Sequence, residues 1–582
     1  MENRDLSRIL HQTADLLEIS AADSFRIRSY RRASEALDAT TVNIAGIVDD
    51  PKQLLAIPNI GKGMAANLKE MVETGKLGIH EELLARYHPK MLELLQLPGC
   101  GPKTVALLWE TLQIGDIDSL EVAARAGKLD SLPRFGKKQV EKILKGIEDY
   151  RRHAGRFHID AASRDAEQVS AYFRALPGVT RVEVAGSLRR GRETIGDVDI
   201  LVTGPACAPD KIAATMELAG AYSGISTLIA KGENKISFTR HNGLQVDVRL
   251  LPENSWGAAL QYFTGSKMHN VALRQRALRK GYTLSEYSLA RLDDSSIVAS
   301  RTEEEIYGAL GLDWIPPELR EDHGEIDAAA AHTLPRLITL ADIRGDIHMH
   351  TDATDGRNTI REMAEAGAAR GYAYIAITDH SKNLAMTNGL DDQRALEHLR
   401  HIRQVDAEME GRIRVFTGIE VDILADGALD LSDEVLAQMD VVIGSVHSLF
   451  NQPREQMTDR LLRAIENPHL CILGHMTGRM LLRREPYSFD MQAVLTAAAA
   501  AGVAVEQNAS PERLDLCDRD LRIARQLGCK ITISTDSHHT SHLDKMQYGL
   551  LQLRRAWLTA FDVLNTVPPA AFVASMRRIA QF

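Results

Sequence analysis

Asp197 and Asp199 stand two positions apart in the apolar run Gly196-Asp197-Val198-Asp199-Ile200-Leu201-Val202. In a strand, alternate side chains share a face, so both carboxylates point to one side. A third carboxylate, Asp247, lies in the later run 244–250. Clustered carboxylates repel one another unless cations lie between them, and Mg²⁺ is well held by carboxylates together with substrate phosphates. Gly186, Ser187, Arg190 and Gly196, just upstream, offer backbone N–H, hydroxyl and guanidinium groups suited to a triphosphate. The chemistry open to this set is two-metal nucleotidyl transfer, with one carboxylate as base toward an attacking hydroxyl.

A second set lies after residue 340, where eleven of the twenty histidines fall. His348-x-His350 ends a short apolar run, with Asp355 just after. His380, Glu420, His447 and His475 each end or follow a further run, and Asp536-x-His538 closes the series. Ligand-type residues at the C-terminal ends of successive parallel strands are the way α/β barrels build active sites. Nine N/O donors exceed what one tetrahedral ion needs, so two or three ions are implied. Imidazole with carboxylate suits Mn²⁺, Zn²⁺ or Fe. His398, His401, His469, His539 and His542 fall off this rhythm and read as surface or helix-cap residues.

A third set is made of turns. Segments 57–63 and 97–104 each run apolar residue, Pro, small turn, Gly and then a helical pattern, with Gly61 and Gly63 in the first and Gly99, Gly101 and Lys103 in the second. Glycines let a turn approach a ligand closely, and a helix N-terminus presents free N–H groups to an anion. Two copies about forty residues apart favour binding of DNA phosphates without sequence readout. A weaker third copy lies at 132–138.

The elements that position these residues follow from patterning. The chain has 582 residues, 44% hydrophobic and 25% charged, which predicts several well-filled domains and excludes disorder, collagen and coiled coil. No run is long and apolar enough to span a bilayer, and the first ten residues carry no secretory signal pattern, so the expectation is a soluble cytoplasmic chain. Five cysteines without a CxxC pair argue against a disulfide framework and a thiolate zinc site. Net charge is −10, divided as +3 over residues 1–300 and −13 over 301–582. Short amphipathic helices are predicted to about residue 155, β runs interleaved with helices from 157, and helical patterning over 255–312. An acidic Pro-containing stretch follows. From 342, apolar strands alternate with Ala-rich helices at 374–378, 415–419, 440–445, 471–473, 503–506 and 530–534, the βα rhythm of a barrel or wound sheet.

The segment GSLRRGRETIGDVDILV resembles the palm signature of family X DNA polymerases, and 256–287, with Tyr262-Phe263-Thr264-Gly265-Ser266 and Glu286-Tyr287, resembles the thumb of DNA polymerase beta. The resemblance implies that Asp197, Asp199 and Asp247 bind Mg²⁺ or Mn²⁺. It places Gly186, Ser187, Arg190 and Gly196 at the triphosphate, Tyr262, Phe263 and Gly265 against the ribose, and Asn270 and Arg274 in the minor groove at the nascent pair. The paired turns resemble helix-hairpin-helix motifs. The histidine pattern is similar to the PHP (polymerase and histidinol phosphatase) domain, a distorted (βα)7 barrel with a trinuclear site. That likeness makes His348, His350, Asp355, His380, Glu420, His447, His475, Asp536 and His538 the ligands, Glu420 bridging, for metal-assisted phosphoester hydrolysis. The domain order resembles a bacterial-type family X polymerase, here called multidomain α+β and α/β. A DNA-end-binding helical domain is expected at 1–85, fingers at 86–155, a nucleotidyltransferase palm at 156–253, a helical/β thumb at 254–318, a linker at 319–341 and the PHP barrel at 342–582.

The implied activities are gap filling in base excision repair and 3′–5′ exonuclease or 3′-end processing. The implied partners are gapped or nicked DNA, dNTPs and other repair proteins, with the chain a monomer. Three positions depart from the beta-type pattern. Ile195 replaces a phosphate-contacting serine, Lys267 replaces an aspartate beside the incoming base, and the lysine of 5′-deoxyribose phosphate lyase chemistry falls on Asn67, whose amide forms no imine. Lys69 lies two residues out of register. Two rival readings are a PHP phosphatase of small phosphomonoesters and a non-catalytic scaffold on gapped DNA.

Overall fold

The structure, a computed structural model, describes residues 3–40, 44–87, 90–95, 97–129, 132–133, 135–153, 155–384 and 387–576. Among these no helix is long and apolar enough to cross a membrane. The chain forms two compact units, Met1–Ala154 and Gly155–Phe582.

The first unit is helical. Apolar residues three and four apart on Asn3–Ile19, Ser24–Ala39 and Lys62–Thr74 bury Leu6, Leu10, Leu37, Leu68 and Met71 in one core. Asp23 starts the second of these helices by accepting from the backbone N–H of Phe25 and Arg26. A second core gathers Leu94, Val105, Leu108, Leu120 and Ile143 from the region of Pro102–Leu112, Ile117–Arg125 and Lys137–His153. Gly61 and Gly101 are the N-caps of Lys62–Thr74 and Pro102–Leu112, so each glycine turn opens a helix. In the third copy, Arg134 lies outside the described residues.

The second unit begins with a five-stranded sheet in the order Arg181–Val184, Asp197–Thr203, Gln245–Leu251, Lys235–Thr239, Thr227–Lys231. The pairing of Asp197–Thr203 with Gln245–Leu251 is parallel and sets Asp199 opposite Asp247. Helix Ile159–Arg174 covers the sheet with Ala166, Val169 and Phe173 against Val198, Ile200, Val246 and Val248. Helices Trp256–Thr264 and Lys267–Arg279, a three-stranded antiparallel sheet and helix Glu303–Ala309 follow.

The stretch expected as a linker at 319–341 is folded. Leu319, Ala329 and Leu337 belong to the thumb core, helix Glu325–Ala330 forms, and Arg320 and Glu325 are fully buried. Their charges misled the sequence reading because each has a buried partner. Arg320 donates to Glu303 at 2.6 Å, and Glu325 meets His269 Nδ1 at 2.6 Å.

From Gly345 seven parallel strands pair in chain order: Gly345–Asp346, Tyr374–Ile377, Arg414–Asp422, Val441–Ser445, Ile472–Leu473, Ala504–Asn508 and Ile531–Ser534. An isolated parallel bridge between Met349 and Ser537 brings the last strand round to the first, so the (βα)7 barrel is nearly closed. Tyr374, Phe416 and Phe572 fill the end where the strands begin, with ring centroids 4.9 Å apart for Tyr374–Phe572 and 5.9 Å for Phe416–Phe572. Barrel and palm belong to the same unit, and Leu514 of the barrel is fully buried in the palm core.

Phe572→Ala removes the apolar ring that reaches this plug from helix Pro569–Met576. The expected cost is about 3–5 kcal/mol of unfolding free energy, read as a lowered midpoint in thermal or urea unfolding followed on the barrel.

Candidate active sites

In the palm, strand alternation puts Asp197 and Asp199 on one face, and the parallel register adds Asp247 beside Asp199. Burial, with Asp197 and Asp247 nearby, pushes the Asp199 carboxyl up to about 6. Burial works the same way on Asp247, but the hydrogen bonds from Lys235, Ser237 and Gln245 and the Lys235 charge together outweigh it and leave this carboxyl below its ordinary range. Lys235 Nζ lies 2.6 Å from Asp247 Oδ2. The sequence reading missed Lys235. Its signal was the position two residues before Ser237, which the antiparallel register sets opposite Asp247.

Gly186 opens the short helix Gly186–Arg189 with φ +62°, and a Cβ there would lie 2.6 Å from Asp199 Oδ2, so only glycine lets this turn sit on the carboxylates. Ser187 follows on that turn, and Gly196 directly precedes the aspartates. Arg189 is bidentate to Glu303 at 2.9 Å for both oxygens. Arg190 donates to the Thr264 carbonyl at 2.5 Å and to Glu321 Oε1 at 3.1 Å. Ile195 is fully buried in the palm core.

Tyr262 and Phe263 close helix Trp256–Thr264 with their rings edge-on at 5.1 Å, and Gly265 ends it at φ +69°. The Arg249 guanidinium lies 4.3 Å over Phe263. Asn270 Nδ2 donates to the Tyr262 carbonyl at 2.8 Å, and Arg274 Nε donates to the Asn270 carbonyl at 3.3 Å. The second unit thus brings the palm residues onto one sheet end and ties the thumb residues to one another. Lys267 heads its helix.

In the barrel all nine predicted donors gather where the strands end. Ligand atoms within 4.8 Å of one another form three groups: His350, Asp355, His380 and His538; His348, His350 and Asp536; His380, Glu420 and His447. His475 stands outside these groups, with Nε2 3.0 Å from Glu420 Oε1. Glu420 is 1% exposed and faces His348, His350, His380, His447 and His475 at 2.9–3.6 Å. Burial opposes its ionisation, but the His348, His380 and His447 rings outweigh it and hold the carboxyl well below the usual range. Burial and the His538 and His380 rings push His350 down to about 4, which makes it a neutral donor at pH 7.

A divalent cation fits this donor set. His348 Nε2, both ring nitrogens of His350, Glu420 Oε2 and His475 Nδ1 are buried without a hydrogen-bond partner, although such atoms are costly when left unsatisfied.

A second layer of carboxylates orients the rings, and the sequence reading missed it. Glu506 accepts from His348 Nδ1 at 2.6 Å, and Asp422 from His447 Nδ1 at 2.5 Å. Glu506 lies on the sixth strand, which none of the nine predicted ligands occupies, and that vacant slot was its signal. His398, read as surface or cap, is instead buried and bonded to Asp379 Oδ2 at 2.7 Å, because the strand beneath its helix ends in an acid that needs a donor. His539 does cap, accepting from the Ser541 N–H at 3.2 Å.

In the first unit, a Cβ added at Gly61, Gly63 or Gly101 would meet nothing within 4 Å, Gly99 has φ +85°, and Lys103 is exposed. Asn67 Nδ2 donates to the Tyr30 hydroxyl at 2.9 Å, and Lys69 Nζ is held by Asp49 at 2.8 Å.

Comparison with known proteins follows the same order of parts. Family patterns match along the chain in order: a helix-hairpin-helix domain at 1–77, a SAM-like helix-hairpin-helix tandem at 91–149, the DNA polymerase beta palm at 160–231, its thumb at 259–321 and a PHP domain at 346–510. The DNA polymerase/3'-5' exonuclease PolX of Bacillus subtilis is 36% identical over 567 residues, 97% of each chain. The chain belongs to the family X DNA polymerases that carry a PHP domain. Within this family X chain, the barrel alone is 28% identical over 232 residues to a probable phosphatase of Thermoanaerobacter, covering 38% of this chain and 89% of that one. DNA polymerase lambda of Arabidopsis thaliana is 26% identical over 354 residues, 55% of this chain and 62% of that protein.

Glu506→Ala and Asp422→Asn each leave the nine donors in place but release one ring. Mn²⁺ affinity of the barrel, measured by calorimetric titration, should fall roughly 10–100-fold in each variant. Wild-type affinity in both would remove these carboxylates from the site.

Proposed function

We propose that this chain fills short gaps in DNA by template-directed nucleotidyl transfer at the palm and shortens DNA 3′ ends by phosphoester hydrolysis at the barrel. The observation that carries the reading is that one chain holds both the Asp197, Asp199 and Asp247 cluster and the nine-donor cluster around Glu420.

At the palm the three aspartates would hold Mg²⁺ or Mn²⁺. When bound, such ions neutralise the triphosphate and make the primer 3′-hydroxyl more acidic. The chain's own groups do the rest. Gly186, Ser187, Arg190 and Gly196 bind the triphosphate, and one of the carboxylates accepts the hydroxyl proton. Tyr262, Phe263 and Gly265 crowd the ribose 2′-position, which selects deoxynucleotides, while Asn270 and Arg274 face the nascent pair. The turns at Gly61, Gly63, Gly99, Gly101 and Lys103 grip DNA phosphates through N–H groups and charge, which places gapped or nicked DNA without sequence readout.

At the barrel the nine residues would hold two or three ions of Mn²⁺, Zn²⁺ or Fe. Such ions supply an activated water and steady charge developing on the phosphoryl oxygens. Glu506 and Asp422 keep the His348 and His447 rings turned inward. Fitting cellular roles are short-gap filling in base excision repair in the cytoplasm or nucleoid, with the chain acting as a monomer beside other repair proteins. Lyase chemistry is not part of the proposal, because the Asn67 amide is no nucleophile.

The test uses a 5′-labelled primer on a one-nucleotide gap, with and without dNTPs, in Mg²⁺ and in Mn²⁺. Asp199→Ala should lower extension by roughly 10³-fold or more while shortening continues, and His348→Ala should do the converse. Extension at the wild-type rate in Asp199→Ala, or shortening at the wild-type rate in His348→Ala, would reject the assignment of that site.

A further inference from the structure

The nucleotide loop of the palm is held from the barrel. Helix Met546–Arg555, which follows the seventh strand, lies against residues 190–191. Gln552 Nε2 donates to the Gly191 carbonyl at 2.9 Å, and a Cβ on Gly191 would sit 3.0 Å from the Leu551 side chain. Arg555 closes the contact. Its side chain is 2% exposed, and it donates to the Arg190 carbonyl at 2.9 Å, to Glu321 Oε1 at 2.9 Å and to Asp518 Oδ2 at 2.8 Å.

Glu321 is the centre of this arrangement. The same Oε1 that accepts from Arg555 also accepts from Arg190 Nε at 3.1 Å, with Arg192 Nη1 at 3.8 Å. Arg190 therefore has a competing anion within reach before any triphosphate arrives. A carboxylate shared among guanidinium groups binds each of them less tightly than one left with a single partner. Asp518, on the far side, holds Nη2 of the Arg555 fork so that Nη1 donates both to the loop carbonyl and to Glu321.

We infer that Arg555 is a positioning residue for nucleotide binding at the palm. It pins the backbone of Arg190 and shares Glu321 with the Arg190 guanidinium, weakening that carboxylate's hold so that the guanidinium can turn to the triphosphate. The barrel thereby supports the polymerase site as well as carrying its own. This inference rests on the proposed role of Arg190 at the triphosphate.

The experiment measures kcat and KM for dATP on a one-nucleotide gap, using the full chain with Arg555→Gln, Glu321→Gln, the double variant and Arg190→Gln. Exonuclease rate and thermal midpoint are followed in the same preparations. Arg555→Gln should raise KM about tenfold with kcat changed less than about twofold, the size expected for one charge-assisted hydrogen bond. Adding Glu321→Gln should return KM to about threefold above wild type, because the competing charge is gone while the backbone pin on Arg190 is still missing, and exonuclease rate stays unchanged.

Wild-type KM in Arg555→Gln would overturn the inference. So would a loss that Glu321→Gln does not rescue and that tracks exonuclease rate and midpoint, which is the behaviour of mere structural support. Unchanged KM in Arg190→Gln would remove the premise and so reject the role of Arg190 separately. If Arg555→Gln does not fold, Glu321→Gln alone decides. It should lower KM by a few fold, and an unchanged or higher KM counts against the inference.

Discussion

Glu420 sets the terms for the barrel. A carboxylate taken out of water costs several kcal/mol unless opposite charge and hydrogen bonds surround it. Five imidazoles surround it here, and they reach it only because successive parallel strands end around one axis. Each ring then needs a fixed orientation, which Glu506 and Asp422 supply for His348 and His447. The donor layer is thus backed by a second acidic layer, and the half-barrel beneath is filled by apolar side chains such as Tyr374, Phe416 and Phe572. A bound cation would complete the balance through the ring nitrogens and the Glu420 oxygen that no protein group satisfies.

The palm meets the same difficulty with fewer groups. Three carboxylates stand on two neighbouring strands, and one cation of the chain itself, Lys235, neutralises Asp247. Asp199 is left with burial and repulsion, so its carboxyl rises to about 6. Beside it, Arg189 is fully committed to Glu303, a bidentate pair that ties the palm to the thumb. Arg190 instead donates to the Thr264 carbonyl and shares Glu321 with Arg555. The division of labour between adjacent arginines follows from which acids the thumb presents.

Much of this was legible in the residues because it is periodic. Two-residue alternation placed Asp197 and Asp199 on one face, and the recurrence of His, Asp and Glu after apolar runs marked the strand ends of a parallel barrel. Rhythm alone left a barrel or a wound sheet open for the second half, and the nucleotidyltransferase palm and the (βα)7 barrel came from the family resemblance. What escaped were residues whose meaning lies in a partner distant in sequence. Arg320 and Glu325 read as solvated charge until Glu303 and His269 are seen against them. His398 read as a surface residue because Asp379, its acceptor, belongs to another element. Glu506 carries no motif at all, and only the empty slot on its strand hinted at it. Pairing, unlike periodicity, is invisible one segment at a time.

The burial of Leu514 in the palm core has a consequence for how two chemistries share one substrate. A barrel whose side chain completes the neighbouring core is packed into the same compact unit as the palm. Synthesis and trimming then fall at two stations of one compact unit, and the strand end has to pass between them. The balance between adding and removing a nucleotide is then set by how readily that end unpairs and how long the duplex stays engaged. These are properties of the DNA as much as of the protein.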